Sequence, residues 1–430
     1  MNNLLNLHED KKIKLSVLNF SFENHSSISK EELSVIKSLS IVDDLDVRRG
    51  MYGSADMKKI KEYVSGDFEV IFFLLNDWLS SGSKTDNLQV KSGINLNYIC
   101  KNSKGVYPCV VWETDSIPSI WSRSYDTVPV KSLICSCKWN YDVFSETNKD
   151  REIVPYSVEF TNEFDEDYQK SLKDVIGDRF VFSSVFQWGE RKGIDNLVKA
   201  FYLEFHDNPN VCLLMKTYVN KTKTGQNETE FIREQISKYV SSIRHYGEDI
   251  QPKCQLIILN DILDKKKLNS IYKITDVYVT CTRGEGFGLP IAEAINFEKP
   301  VVAPDLGGHV DFIDKENNFF IKSQLEPALG YDNSYWSSID SNWVEVSINS
   351  AREEMRKAYS SDSLVEMGKK SKIFMQGYLS DEKCTNLFEK VLSSSIMYCV
   401  FDKFFYLFFR RHFLWFFNFK CFMYFTFYHT

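Results

Sequence analysis

The chain has 430 residues, enough to bury two sizeable cores, and its formal net charge of −7 excludes a global field drawing it onto nucleic acid or an anionic membrane. Its ten cysteines form no C-x-x-C pair and no regular framework, so those in apolar runs, such as Cys212 and Cys281, read as buried thiols rather than disulfides or metal ligands. The opening MNNLLNLHEDKKIKLS has no apolar stretch of the secretory kind, so a reduced, cytoplasmic setting is the expectation. The Asn-x-Ser/Thr sequons at Asn24, Asn220 and Asn227 then read as chance matches.

In chain order, IKLSVLNFSF (13–22) reads as a first strand, EELSVIKSLS (31–40) as a helix and FEVIFFLLND (68–77) as a buried strand. VDDLD (42–46) holds an Asp-x-Asp, read as a solvated acidic loop rather than a metal site. YPCVVWETDSIPSIW (107–121) gives strand, loop and helix, and LICSCKWNYDVFSE (133–146) gives strand and helix. Glu113, Thr114 and Asp115 follow the first of these strands. Two readings compete for them: recognition of hydroxyls, or a local role in which Asp115 caps a helix and Glu113 is structural.

RFVFSSVFQWGERKGIDNLVKAFYLEF (179–205) gives a strand, a basic loop and an amphipathic helix with Ile194, Leu197, Val198 and Phe201 on one side. VCLLMKTYV (211–219) is another central strand, and the polar residues 220–230 read as a surface loop. CQLIILNDILDKKKLNSIYKITDVYVT (254–280) is strand, loop and helix, closing on a buried strand at DVYVT (276–280).

The stretch that follows, VTCTRGEGFGLPIAEAINFEKPVVAPDLGG (279–308), is the most informative. Gly286 and Gly288 let the backbone turn sharply and approach a ligand closely. Pro290 suits the first turn of a helix, where a missing N–H costs nothing. The free amides of such a helix start form an anion site that favours phosphate. Glu285 precedes the turn and Glu293 lies about one helical turn inside, two carboxylates able to accept hydrogen bonds from sugar and ribose hydroxyls.

NWVEVSINSAREEMRKAY (342–359), VEMGKKSKIFMQGY (365–378) and CTNLFEKVL (384–392) read as closing helices. The tail from Met397 differs in composition, with 12 of the chain's 33 phenylalanines and no helical or strand period. Its Phe and Leu side chains favour insertion by about 3 to 6 kcal/mol in sum, whereas Arg410 and Arg411 oppose it by about 5 to 7. A membrane span therefore loses. Translated AT-rich, non-native sequence is the favoured reading of the tail. The alternative is an interfacial anchor, with Arg410, Arg411 and Lys420 on lipid phosphates giving peripheral membrane contact.

Strands alternating with helices through both halves indicate an α/β protein of two doubly wound, Rossmann-like domains, with ligands at the carboxyl ends of the strands. The expected division is an amino-terminal domain at 1–160, a second domain at 161–396 and the tail at 397–430.

The motif Glu285-GFGLPIA-Glu293 resembles the E-x7-E signature of family 4 retaining glycosyltransferases. KPVVAPDLGGHVDFI (299–313) is similar to that family's next segment, including Gly307 and Gly308. Residues 107–121 and 133–146 are similar to the "WETD-P" and "V-PS-N-VF" segments of some members. REIVPYSVEF (151–160) resembles the strand into the inter-domain linker, with Ser157 where Gly is common and Glu159 where Asp is common. The glycine-rich loop that many members carry after the first strand is absent, and FSFENHSSIS (20–29) stands in its place.

The resemblance implies two domains facing across a cleft, the GT-B arrangement. It implies a nucleoside-diphosphate sugar as donor, a hydroxyl acceptor (glycan, lipid or protein), front-face attack and no cofactor or metal. Catalysis is then mostly positioning and electrostatic stabilisation of the leaving diphosphate. Lys192, in the family's Lys-Gly with Gly193, neutralises that diphosphate. The amides of Phe287, Gly288 and Leu289 in the Gly286 turn assist, Glu285 holds donor-sugar hydroxyls and Glu293 the ribose. Gln187 stands where the family has Arg, which loses a positive charge; two readings compete for Arg191, compensation for that charge or a helix-entry residue facing water. Ile262 is a base-contact candidate, its alternative being loop packing. Glu113, Thr114 and Asp115 fall on the acceptor side. The absent glycine loop and Gln187 also leave open a catalytically degenerate nucleotide-sugar-binding scaffold or sensor, with a phosphorylase or epimerase on the same fold as a third option.

Overall fold

Among the described residues, two six-stranded parallel sheets organise the chain. The computed structural model describes residues 105–391, except 128, 157, 159, 220–226, 242–243, 246–247, 250 and 329–339, together with the backbone of strands at 13–19, 42–49 and 68–73. The first sheet comprises β1 (Ile13–Asn19), β2 (Val42–Arg49), β3 (Phe68–Phe73), β4 (Gly105–Val110), β5 (Leu133–Cys135) and β6 (Arg151–Ile153). They lie in the order β2-β1-β3-β4-β5-β6. Helices α1 (Ser119–Thr127) and α2 (Lys138–Val143) follow β4 and β5.

The strands expected at 13–22 and 68–77 are β1 and β3. VDDLD corrects the sequence reading: it is part of β2, paired in parallel with β1 from Lys14↔Asp44 to Ser16↔Asp46. β2 is an edge strand, and charges on an edge deter further pairing without disturbing the ladder behind them. The helix expected at 31–40, the loop at 20–29, Ser157, Glu159 and the tail at 397–430 lie outside the described residues.

The chain crosses to the second half through α3 (Glu166–Ile176), started by the side chain of Asp165 accepting from the Tyr168 amide. The second sheet contains β7 (Phe180–Gln187), β8 (Val211–Tyr218), β11 (Gln255–Leu259), β12 (Val277–Val279), β13 (Val301–Pro304) and β14 (Phe319–Ile321). Its order, β11-β8-β7-β12-β13-β14, is the 3-2-1-4-5-6 order of dinucleotide-binding sheets. Two small antiparallel pairs accompany it: β9 (Arg244–His245) with β10 (Glu248–Asp249), and β15 (Ser323–Pro327) with β16 (Asn342–Val346).

The helices of this half are α4 (Ile194–Phe205), α5 (Glu228–Val240), α6 (Lys265–Ile274), α7 (Leu289–Asn296), α8 (Ile348–Tyr359) and α9 (Leu364–Leu379), with 381–391 also helical. Ile194, Leu197, Val198 and Phe201 form the buried face of α4, as their spacing requires, packing with Phe182 of β7 and Leu213 and Met215 of β8. Each such side chain contributes about 1.5–3 kcal/mol by leaving water. Cys212 and Cys281 are buried free thiols, and burial pushes Cys212 up to about 12.

Two boundaries differ from expectation. Residues 342–346, read as helix, are β16; the helix begins only at Ile348, where the side chain of Ser347 accepts from the Ser350 amide. β-Branched Val344 and Val346 on a strand paired with β15 outweigh the helical pattern that follows. At the other boundary, the polar residues 228–230 are the first turn of α5, capped by Asn227 accepting from the Thr229 amide.

The last long helix returns to the first half: Met375 and Leu379 of α9 share one apolar cluster with Cys137 and Val158. No helix among the described residues is long and apolar enough to cross a membrane.

Candidate active site

In a doubly wound sheet the crevice opens where the strand order reverses, here between β7 and β12. The loops leaving the carboxyl ends of these two neighbours, 188–193 and 280–288, therefore meet. Gly193 has φ +60°, and a Cβ there would run into the Cys281 carbonyl. The Arg283 amide donates to the Arg191 carbonyl at 2.7 Å, and the Thr282 hydroxyl to the same oxygen at 3.2 Å.

This junction brings Lys192 against Glu285. The ammonium donates to the carboxylate, and each side chain is only 13% exposed. Burial pushes the Glu285 carboxyl upward, but Lys192 and Arg191 together hold it below the usual range. Burial and the neighbouring Arg191 lower Lys192, against the pull of Glu285.

The glycine turn follows at once. Gly288 takes φ +98° and opens α7, with Pro290 in its first turn. The amides of Phe287, Gly288 and Leu289 stand at the helix start, where no preceding turn offers carbonyls. The Phe287 ring is buried, 5.0 Å from Tyr156 and 5.1 Å from Phe312, so the turn is anchored by an aromatic core. The Gly308 amide donates to the Glu285 carbonyl at 2.9 Å.

A Cβ at Gly308 would meet the Gly286 carbonyl, with the Cys137 sulfur at 2.9 Å. Backbone cannot yield there as a flexible side chain would. Gly308→Ala should therefore lose about 1–3 kcal/mol of stability, measured by urea unfolding. An unchanged midpoint would show that the contact is relieved at no cost.

Glu293 lies in α7 and is engaged by the protein. Lys265 pairs with it, and Tyr272 donates its hydroxyl at 2.7 Å. Burial, reinforced by Glu293, raises the Tyr272 phenol, which keeps it a donor. His309 is buried behind the turn, its Nε2 2.8 Å from the Pro304 carbonyl, and burial lowers its pKa.

The amino-terminal half closes on this turn. The position of a Cβ on Gly284 would be 2.8 Å from the Glu113 carbonyl, and one on Gly286 would strike Val111. Glu113 approaches Arg191 at 3.8 Å, while Arg191 donates to the Gly284 carbonyl at 2.6 Å. Thr114 is buried and donates to Ser116 O at 2.8 Å. Asp115 accepts from the Asn342 amide at 2.7 Å and from its side chain at 2.8 Å. The capping alternative for Asp115 fails, since α1 starts at Ser119 and this carboxylate joins β16 of the other half. Buried Asn140 spans the same seam, accepting from the Trp112 amide and donating to the Gly286 carbonyl, both at 2.6 Å.

Gln187 ends β7 as an exposed residue opposite Tyr218. Ile262 is 99% exposed, which overturns the loop-packing alternative for it.

Sequence reasoning missed Arg283. Its guanidinium forms a fork on Asp195 at 2.9 and 3.0 Å and bonds Glu345 at 2.6 Å, while only 8% of the side chain is exposed. The available signal was a lone arginine between an apolar strand and the Gly-Glu of the turn. Glu345 was hidden by the misread strand at 342–346.

Residues 165–329 match the family model described as glycosyl transferases group 1. This is a glycosyltransferase with the GT-B fold. The glycosyltransferase is similar in structure to α,α-trehalose 6-phosphate synthase from Burkholderia multivorans, with TM-score 0.62 at 9% identity, covering 90% of this chain and 100% of that one. It is also similar to HepE of Anabaena in complex with UDP and glucose, with TM-score 0.57, 10% identity and coverage of 89% and 100%. A third similar structure is the pneumococcal O-GlcNAc transferase GtfA in complex with UDP and GlcNAc, with TM-score 0.51, 16% identity and coverage of 80% and 59%. No curated protein sequence matches the glycosyltransferase.

Proposed function

We propose that this glycosyltransferase is a family 4 retaining enzyme that moves a sugar from a nucleoside-diphosphate donor to a hydroxyl acceptor. The observation that carries the reading is the Lys192–Glu285 pair at the switch point, beside the amides that open α7. Structures similar to this one hold UDP with glucose or GlcNAc, which supports a nucleotide-sugar donor.

In the reaction, the acceptor oxygen attacks the anomeric carbon on the face that the diphosphate leaves. The carbon–oxygen bond to the diphosphate breaks, the glycosidic bond forms, and the acceptor proton passes to the departing phosphate oxygen. Lys192 and the amides of Phe287, Gly288 and Leu289 stabilise the charge that develops on the diphosphate. The donor phosphate competes with Glu285 for Lys192, which frees the Glu285 carboxylate for sugar hydroxyls. Glu293 takes the ribose, with Tyr272 holding one of its oxygens in place. Arg191 adds positive charge beside Lys192, Ile262 offers an apolar surface to the base, and Glu113, Thr114 and Asp115 form the acceptor-side wall. No step requires a metal, and the reading places the enzyme in the cytoplasm, with any peripheral membrane contact confined to the tail. The domain division at residues 160/161 and 396/397 belongs to the same reading.

The test is a thermal-shift screen of the full chain against UDP, GDP, ADP and their common sugar conjugates. A ligand at 100 times its dissociation constant adds about 2.7 kcal/mol to the native state. The expected result is a rise in melting temperature with one nucleotide that Glu293→Ala loses, followed by nucleotide release from the matching donor sugar. Binding without turnover would favour a degenerate sensor. No shift from a folded protein would overturn the reading.

A further inference from the structure

The carbonyl of Gly286 is held by more groups than any loop oxygen needs. The Asn140 side-chain amide donates to it at 2.6 Å, the Cys137 thiol at 3.1 Å and the Ser136 hydroxyl at 3.4 Å. All three donors come from the start of α2 and the residues before it, on the opposite half of the molecule. Asn140 is fully buried, and its other end accepts from the Trp112 amide at 2.6 Å. Only one orientation of the side-chain amide satisfies both neighbours, because Trp112 offers a donor and Gly286 an acceptor.

The Gly286 carbonyl and the Phe287 amide belong to one planar trans peptide, so their C=O and N–H bonds point in opposite directions. Fixing one fixes the other. Glycine otherwise leaves this peptide the freedom to rotate that a turn can exploit. We propose that Asn140 is a positioning residue that locks the Gly286–Phe287 peptide, and so aims the Phe287 N–H at the donor diphosphate when the two halves are closed. The inference rests on the donor reading above. It gives the asparagine of the 133–146 segment a task in the reaction: the amino-terminal half completes the anion site of the carboxyl-terminal half.

Asn140→Asp separates this from a plain bolt between the halves. The aspartate still accepts from the Trp112 amide but cannot donate to Gly286. The experiment measures nucleoside-diphosphate release by the full-chain enzyme with the donor sugar selected by the thermal-shift screen, alongside the melting temperature. A misaimed group costs on the order of 10²-fold. The expected result is that loss in kcat per folded molecule, with the donor KM changed less than about threefold, because the amide acts chiefly on charge developing in the transition state. A bolt alone would lower the melting temperature and leave kcat per folded molecule at the wild-type value, which would overturn the proposal. Asn140→Ala, which buries no charge, takes the same assay if the aspartate variant does not fold. A wild-type chain that neither binds nor turns over any donor would reject the donor reading itself, whereas an active wild type with unchanged variants rejects only the role of Asn140.

Discussion

Lys192→Ala is expected to lower kcat by about 10²- to 10³-fold, the usual consequence of removing one preorganised group from a developing negative charge. It is also expected to destabilise the fold. Lys192 and Glu285 are mostly buried and paired with each other, so deleting the lysine leaves a carboxylate inside without its hydrogen-bonded counter-charge, with Arg191 and the buried His309 as its remaining neighbours. Breaking a buried pair from one side costs about 3–5 kcal/mol, more than replacing both partners together. The double variant Lys192→Met, Glu285→Gln should therefore recover much of the stability while its turnover stays no higher than that of the single variant. Urea unfolding and initial rates on the three proteins decide it. Wild-type turnover in Lys192→Ala would remove the lysine from the mechanism.

Arg283→Met should have the largest effect on stability that is separate from donor contact, about 3 kcal/mol. At about 2–4 °C per kcal/mol for a domain of this size, the melting temperature falls by about 6–12 °C. The guanidinium joins Asp195 of α4 to Glu345 of β16 and stands two residues before Glu285, so it holds the whole approach to the turn. Arg283→Lys should lose most of the same amount, because an ammonium cannot reproduce the fork on Asp195.

The effect is pH-dependent, with a defined sign. Burial pushes the Asp195 carboxyl up, but Arg283 and Lys199 pull it down further, so its native pKa lies below the unfolded value. A depressed carboxyl contributes its stability above the unfolded aspartate pKa of about 3.9 and loses it as the pH falls through the native value. The difference between wild type and Arg283→Met should be full at pH 7 and shrink below about pH 4. A difference that is constant down to pH 2 would show that packing of the arginine stem, not the ion pair, carries the effect.

Much of the site was legible because its local chemistry is local in sequence. Gly286, Gly288 and Pro290 can serve few purposes other than a sharp turn into a helix, and the structure places α7 there. The Lys-Gly at 192–193 likewise marks a tight loop, and Gly193 does adopt a left-handed conformation. The acidic VDDLD and the segment 342–346 were misread for one reason. Strand pairing depends on a distant partner, and neither short run carries that partner in its own residues.

The sequence by itself determined the alternation of strands and helices, the glycine turn that opens α7 and the two carboxylates bracketing it, since backbone freedom, capping and apolar period act over a few residues. Only the tertiary structure decided which charges meet. Lys192 reaches Glu285 across 93 residues, Arg283 reaches Asp195 across 88, and Asp115 reaches Asn342 across 227. No period along the chain encodes such separations. They follow from the order in which strands enter the sheets, which sets β7 beside β12 and brings the two halves together over one peptide of the turn.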